Sequence, residues 1–174
     1  VEVVPSDGEE FSLAEAGVDR ESPERPESVC ARDVEESARY GMSIAEFPTT
    51  LEAARGCRQL GMNVLMGAPN VVRGGSHSGN VAAAGLAAEG LLDILSSDYY
   101  PASLLLAAFV LADQQDGGDL SRAVRMISLA PARAAGLNDR GEIAIGLRAD
   151  LVQARSREGL PVVQQVWRQA KRVF

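Results

Sequence analysis

An alternation of strand and helix patterns between Met42 and Pro101 constrains the fold most strongly. Apolar runs typical of buried strands occur at residues 42–47, 62–66 and 91–97, and helix patterns lie between them at residues 50–60 and 81–89. Neighbouring strands that are separated by helices pair in parallel through right-handed crossovers. The pattern therefore predicts an α/β fold with a parallel sheet.

The ends of the predicted helices carry local signals. Thr49 and Glu52 form a capping box, in which the Thr49 hydroxyl accepts from a helix amide and Glu52 reaches back to the Thr49 amide. An apolar helical face through Val29, Val34 and Ala38 predicts an earlier helix that ends near Gly41, and Gly61 and Gly90 end the two helices between the strands. Each signal predicts a boundary between a helix and the strand that follows it.

The remainder of the chain has two different patterns. Residues 102–112 predict a helix that is apolar almost all round and so buried, and residues 120–129 predict another, interrupted at Ala130 and Pro131 before a last turn that ends at Gly136. Short strands are predicted at residues 142–145, 150–154 and 162–173, with a separator at 156–161. We divide the chain into a poorly packed acidic lead-in (1–33), a βα region (34–137) and a C-terminal β segment (138–174).

Charge and composition exclude several classes of protein. The net charge of −7 disfavours a nucleic-acid partner, because phosphate backbones select basic surfaces. No apolar run approaches the roughly 20 residues that cross a bilayer, so we expect no membrane partner. The two cysteines, Cys30 and Cys57, lack metal-ligand spacing, and no secretion signal is visible. These features predict free thiols in the cytoplasm.

A polar loop at residues 67–80 follows the second predicted strand. It holds one Arg, one His, two Asn, two Ser and four Gly in fourteen residues. Glycine amides, Arg73 and a following helix N-terminus can together bind an anion such as phosphate. A structural glycine loop is the alternative, and His77 could equally be a loop histidine that bonds to backbone.

Other candidate residues stand at the ends of predicted strands. Asp98 follows the third strand, where a carboxylate could bind a metal or act as a general base, or could simply cap the helix that begins near Pro101. Glu46 ends the first strand and could face the same opening. Tyr99 and Tyr100 could stack on a ligand, donate hydroxyls or pack at the helix entry.

Several of these motifs resemble a known family. Residues 45–54, 66–80 and 92–101 are similar to the C-terminal half of the alpha-D-ribose 1-methylphosphonate 5-triphosphate diphosphatases of the carbon-phosphorus lyase pathway, which belong to the amidohydrolase superfamily. Residues 130–137 and 140–152 resemble the same superfamily. The resemblance covers roughly residues 34–173.

The resemblance implies a fold and an activity. It implies the C-terminal part of a (βα)8 barrel, about three βα units with strands near Ser43, Val64 and Ile94, together with strands of a small β domain. It also implies a metal-dependent hydrolase that releases diphosphate from alpha-D-ribose 1-methylphosphonate 5-triphosphate in phosphonate catabolism. Phosphorylated ribose or a triphosphate small molecule is then the expected ligand.

The resemblance also assigns site residues and a cofactor. Asp98 matches an aspartate that is catalytic and contacts a divalent metal, zinc or manganese. The expected substrate-binding residues of the matching loop are Asn70, Arg73, Gly74, Gly75, Ser76, His77 and Asn80. Glu46 and Tyr99 are added as substrate-binding candidates from their positions at the strand ends.

The chain also departs from the family pattern. It has one histidine, His77, and one lysine, Lys171, and the first-strand and middle-strand metal ligands have no counterpart. A turn glycine is replaced by the run from Gln169 to Lys171. We therefore expect a truncated, inactive form that does not retain metal alone, and that self-associates or pairs with a complementing N-terminal half. The alternative is a non-catalytic phosphorylated-sugar-binding remnant or half-barrel subunit.

Overall fold

The computed structural model describes residues 27–75, 80–114 and 119–174. The helices are α1 (Glu27–Arg39), α2 (Leu51–Gln59), α3 (Ala68–Arg73), α4 (Ala83–Ala88), α5 (Ser103–Gln114), α6 (Leu120–Ile127) and α7 (Leu129–Ala134). The strands are β1 (Ile44–Glu46), β2 (Asn63–Gly67), β3 (Ile94–Ser96), β4 (Leu151–Arg157), β5 (Leu160–Arg168) and β6 (Lys171–Arg172). Within these ranges no helix combines the length and the apolarity needed to cross a membrane.

Strands β1, β2 and β3 form the predicted parallel sheet, with β2 in the middle. Ala45 pairs with Val64, and Met66 pairs with Leu95. Each crossover contains at least one helix, which agrees with the alternation in the sequence. The predicted α/β fold with a parallel sheet is confirmed.

The two faces of β2 have different surroundings. Val64 and Met66 are buried in the main core, together with residues of α2, α3, α4, α5 and α6. Leu65 points to the opposite face, because side chains alternate along a strand, and it is only partly buried. One face of the sheet is thus covered by helices and the other is partly open.

The start of α2 differs from the predicted capping box by one residue. Thr50 is the N-cap, and its hydroxyl accepts a hydrogen bond from the Ala53 amide at 3.1 Å. The Thr49 carbonyl instead accepts from the Val81 amide at 3.0 Å. The assignment to Thr49 was wrong, since the helix begins one residue later and the Thr50 hydroxyl is the one in reach of its free amide. The predicted helix ends at Gly41, Gly61 and Gly90 are confirmed by their positive φ angles.

Residues 68–73 form helix α3, so the prediction of a continuous polar loop from residue 67 was wrong. Ala68 and Val71 are buried, and Pro69 stands at the first turn of α3, where a missing amide costs nothing. A single short turn of helix gives too few periodic positions to be read from sequence. The buried side chains of α3 explain why tertiary packing favours it.

Helices α5 to α7 depart from the predictions in burial and in boundary. Ala107, Ala108 and Leu111 are buried, but the side of α5 that carries Leu105 and Phe109 is partly exposed. The break between α6 and α7 falls at Ser128, whereas Pro131 lies inside the first turn of α7. Proline fits that turn because its nitrogen needs no hydrogen-bond partner there.

Strands β4, β5 and β6 form a separate antiparallel sheet. Residues 142–145, predicted as a strand, are not part of any sheet, and Ile143 and Ile145 are 89% and 107% exposed. Most of the predicted separator at 156–161 belongs to strands, because a two-residue turn suffices to reverse the chain. Glu158 and Gly159 have φ angles of 53° and 80°, typical of such hairpin turns.

The turn between β5 and β6 uses two left-handed residues that are not glycine. Gln169 and Ala170 have φ angles of 51° and 61°. Asp150 accepts from the Gln169 amide at 2.8 Å, and the Ala149 carbonyl accepts from the Ala170 amide at 2.9 Å. Arg148 pairs with Asp150 at 2.7 Å. These contacts hold the turn in place of the missing glycine.

Two ion pairs join α2 to the chain that leads into β3. Arg58 contacts Asp93 at 2.5 Å, and Arg55 contacts Glu89 at 2.7 Å. Only Asp93 also accepts from a buried backbone amide, that of Val64, at 2.9 Å. Asp93 therefore satisfies a backbone amide of the central strand β2, whereas the ion pair of Arg55 with Glu89 lies at the surface.

We expect Asp93→Ala to lower the free energy of unfolding by about 1–3 kcal/mol, because the buried Val64 amide loses its acceptor. Glu89→Ala is the matched control, since an exposed ion pair contributes about 0–1 kcal/mol. Urea unfolding of both variants measures the difference. Equal losses of unfolding free energy in the two variants would show that the hydrogen bond from the Val64 amide to Asp93 does not stabilise the fold.

We also expect Asp150 to make stability depend on pH. The Gln169 amide and the Arg148 guanidinium hold the pKa of Asp150 below its usual value of 3.8. A carboxyl with a lowered pKa stabilises the fold above its usual value, and this contribution is lost as pH falls through the lowered pKa. The urea midpoint should therefore drop less between about pH 5 and pH 3 in Asp150→Asn than in the wild type. Asp113→Asn, on an exposed residue of α5, should keep the wild-type drop.

Candidate active site

The carboxyl ends of β1, β2 and β3 lie at one edge of the parallel sheet. Glu46, Gly67 and Ser96 are the last residues of these strands, and Asp98 follows Ser96 closely. Open α/β folds bind ligands at this edge of the sheet. The candidate residues at the strand ends are therefore neighbours in space.

Asp98 extends from the end of β3 over the end of β2. A Cβ atom placed on Gly67 would lie 3.1 Å from Asp98 Oδ2, so the carboxylate occupies the space above that glycine. Asp98 is exposed and has a left-handed φ of 49°. The amide at the start of α5, that of Ser103, donates to the Tyr100 carbonyl at 2.9 Å. A backbone carbonyl therefore accepts from the first amide of α5, and the Asp98 carboxylate lies at the strand ends instead.

Phe47 approaches the same glycine from the other side. Its ring atoms Cε1 and Cζ would lie 3.1 and 3.4 Å from a Cβ on Gly67. Its backbone has a φ of 54°, and its amide donates to the Leu65 carbonyl at 2.9 Å. The sequence contained no signal for this arrangement, because nothing in a Phe-Pro pair predicts a left-handed phenylalanine.

Ser96 adds a buried polar atom to the strand ends. Its hydroxyl is buried and has no hydrogen-bond partner among the residues that the structure describes. Buried hydroxyls nearly always have partners, so this atom is available for a hydrogen bond to water or ligand. Sequence reasoning treated Ser96 only as part of a strand.

Arg73 and Tyr99 are both exposed and meet at the entrance of the site. The Arg73 Nη1 atom donates to the Tyr99 hydroxyl at 2.6 Å, and the guanidinium carbon lies 5.8 Å from the centre of the Tyr99 ring. The contact joins the end of α3 to the segment between β3 and α5. It places the Arg73 guanidinium beside Tyr99, the residue that follows Asp98, and leaves further N–H donors of Arg73 for other partners.

Other residues of the predicted anion loop have roles in the fold. The Gly74 and Gly75 amides donate to the carbonyls of Val71 and Asn70 and so end α3. The Asn70 side chain accepts from the Ala83 amide at 3.0 Å and caps the start of α4. An anion at these groups would compete with hydrogen bonds that already exist.

The remaining predicted site residues differ in position. Glu46 is partly buried at the end of β1, and Asn80 is exposed before α4. Ser76 and His77 lie outside the described residues. In the parts of the chain that are described, no three His, Cys, Asp or Glu side chains converge as a metal site would need. Among the described residues, the candidate groups are the Asp98 carboxylate, the Phe47 ring, the Ser96 hydroxyl and the pair of Arg73 with Tyr99.

Comparison with known sequences gives two matches. The model of the amidohydrolase family matches residues 17–171. Over 142 residues the chain is 61% identical to the alpha-D-ribose 1-methylphosphonate 5-triphosphate diphosphatase of Escherichia coli (strain K12), a match that covers 81% of this chain. The chain spans 38% of the length of that curated relative.

Two solved structures resemble parts of this chain. A crystal structure of an uncharacterized protein matches with a TM-score of 0.58 and 18% identity, over 82% of this chain and 43% of that one. An amidohydrolase from Thermotoga maritima MSB8 has a TM-score of 0.49 and 16% identity, over 80% of this chain and 45% of that one. The family model covers the parallel sheet, the strand ends and most of the antiparallel sheet. The chain therefore belongs to the amidohydrolase family.

Proposed function

We propose that this chain supplies the Asp98 side of an active site that releases diphosphate from alpha-D-ribose 1-methylphosphonate 5-triphosphate. The observation that carries the proposal is the exposed Asp98 carboxylate above Gly67, at the edge of the sheet where this fold binds its ligands. The 61% identity to the E. coli diphosphatase supports the choice of substrate.

Asp98 acts as a general base in this proposal. Hydrolysis of the first anhydride bond needs water to attack a phosphorus of that bond while diphosphate leaves. The Asp98 carboxylate takes the proton of the attacking water and later releases it to solvent, so that charge and atoms balance. Its exposure gives water access, and the space above Gly67 gives the carboxylate room.

Arg73 contacts the phosphates in this proposal. Its guanidinium is planar and has several N–H donors, of which one is used by the Tyr99 hydroxyl. The remaining donors can bind phosphate oxygens in pairs. The Tyr99 contact fixes the direction of the side chain and so reduces the entropy that binding would cost.

Members of the amidohydrolase family typically use divalent metals. Catalytic metal sites have about three protein ligands, and the described residues bring no such group together. These residues do not fit a metal on their own, although Asp98 could supply one oxygen. We propose that the remaining ligands come from outside the described residues, and that the chain alone is inactive.

The proposal also includes the cytoplasm as the location. Cys57 is a free thiol within the core, and burial raises its pKa. A protonated, buried thiol reacts slowly and suits a reducing compartment.

A chimera tests the role of Asp98. In it, the matched residues of this chain replace the corresponding 142 residues of the E. coli diphosphatase. We expect the chimera to release diphosphate and its Asp98→Asn variant to lose about a hundredfold or more in kcat, because the amide is a far weaker base. Production of diphosphate from the triphosphate substrate is the measurement.

Asp113→Asn is the matched control, because Asp113 is exposed on α5 and stands apart from the strand ends. It should leave kcat within about twofold of the parent chimera, since surface substitutions rarely matter. A chimera that folds but releases no diphosphate would contradict the proposed function. Equal activity of parent and Asp98→Asn would remove Asp98 from the mechanism.

Binding of diphosphate to this chain tests the role of Arg73. We expect weak binding that weakens further with salt, and a loss of about ten- to a hundredfold in affinity in Arg73→Ala, which removes a charge-assisted contact. Calorimetric titration at low salt measures it. Arg125→Ala removes the same charge from an exposed position on α6, and we expect it to change the affinity for diphosphate little. A wild-type chain that does not bind diphosphate would contradict this part of the proposal.

A further inference from the structure

Two residues other than glycine adopt left-handed backbone at the carboxyl ends of the parallel strands. Phe47 follows β1 with a φ of 54°, and Asp98 follows β3 with a φ of 49°. Both extend toward Gly67, the last residue of β2, which lies between them. All three strand ends therefore contribute to one arrangement.

The phenylalanine conformation is costly and is not explained by core packing. A bulky residue in the left-handed region is a true outlier, because its Cβ crowds the neighbouring carbonyl. Phe47 remains 36% exposed and does not belong to the buried core. Strain of this kind persists mainly where a site requires it. The position of the ring therefore calls for a reason beyond stability.

Gly67 shows what the ring is placed against. An added Cβ would lie 3.1 Å from both the Phe47 ring and Asp98 Oδ2, which is closer than nearly all real contacts of that atom. The ring edge and the carboxylate thus share the small space above one glycine. A Cβ atom at residue 67 would therefore contact both side chains.

We propose that Phe47 is a positioning residue for Asp98, and that Gly67 provides the gap in which the two side chains meet. This inference rests on the proposed function, since Asp98 is there the base. The ring limits how far the carboxylate can swing across the end of β2. Its edge also carries partial positive charge, which favours a carboxylate beside it.

Gly67 belongs to the same arrangement because it has no side chain. A Cβ atom at this position would require the carboxylate, the ring or both to move by a few tenths of an ångström. The glycine is therefore required by close approach rather than by its own backbone angle. Substitutions at Phe47 and Gly67 should show coupled effects, because a Cβ atom at residue 67 would contact both the Phe47 ring and the Asp98 carboxylate.

The test uses Phe47→Ala and Phe47→Gly in this chain and in the chimera. In the chain, three-bond couplings of the Asp98 β-protons measured by NMR report whether the side chain holds one χ1 rotamer. We expect one rotamer in the wild type and averaged couplings in both variants. Unchanged couplings would overturn the proposal.

In the chimera, kinetics give the second readout. We expect both variants to lower kcat by about ten- to a hundredfold, because a displaced base loses much of its rate advantage, while KM changes less than about threefold. Gly67→Ala should lower kcat similarly, and by a smaller factor when Phe47 is already glycine. A fall in binding alone, with kcat unchanged, would overturn the positioning role.

Thermal melting separates strain from function. Both variants remove the ring, so their difference isolates the backbone: Phe47→Gly should melt above Phe47→Ala, the reverse of the usual order. Ala170→Gly is the matched control, because Ala170 has a φ of 61° in the β5–β6 turn. It should raise the melting temperature and leave kcat unchanged. A Phe47→Ala chain that melts above Phe47→Gly would overturn the strain argument.

The readouts also separate this proposal from the proposed function. If the unsubstituted chimera releases no diphosphate, the proposed function fails, and the NMR couplings still decide whether Phe47 positions Asp98. If the chimera is active and the couplings do not change, the positioning role fails alone.

Discussion

The pairing of β2 with both of its neighbours is the interaction on which the rest of the molecule depends. It places the ends of three strands side by side, and it buries Val64 and Met66 under the helices. The Asp93 side chain adds to this pairing, because it accepts a hydrogen bond from the Val64 amide next to the pair of Leu65 with Ile94. Without this pairing, Asp98 and Phe47 would not both lie next to Gly67.

Some residues of the predicted anion loop have structural roles. Glycine amides and an asparagine looked available for a ligand, yet Gly74, Gly75 and Asn70 are engaged in ending α3 and starting α4. Backbone groups at helix ends need partners, and nearby groups satisfy them first. The cation that remains is Arg73, and its direction is set by Tyr99, which is distant in the sequence.

Sequence reasoning succeeded where the signal was local or periodic. The alternation of apolar runs predicted the parallel sheet, and the helix ends at Gly41 and Gly61 were read correctly because a left-handed C-terminal residue favours glycine. It failed at α3, whose single turn gives too few periodic positions, and at residues 142–145, where alternation was too short to mean a strand. The first failure concerns a segment that buried contacts stabilise, and the second a segment whose isoleucines remain exposed.

The sequence by itself determined the three strands of the parallel sheet, the family resemblance and the candidacy of Asp98, because each depends on residue type and spacing along the chain. Only the tertiary structure decided that Phe47 and Asp98 meet above Gly67, and that Arg73 rests against Tyr99. These contacts depend on strand register and on left-handed backbone at two residues that do not favour it. Neither property is encoded locally, since both follow from the packing of segments far apart in the chain.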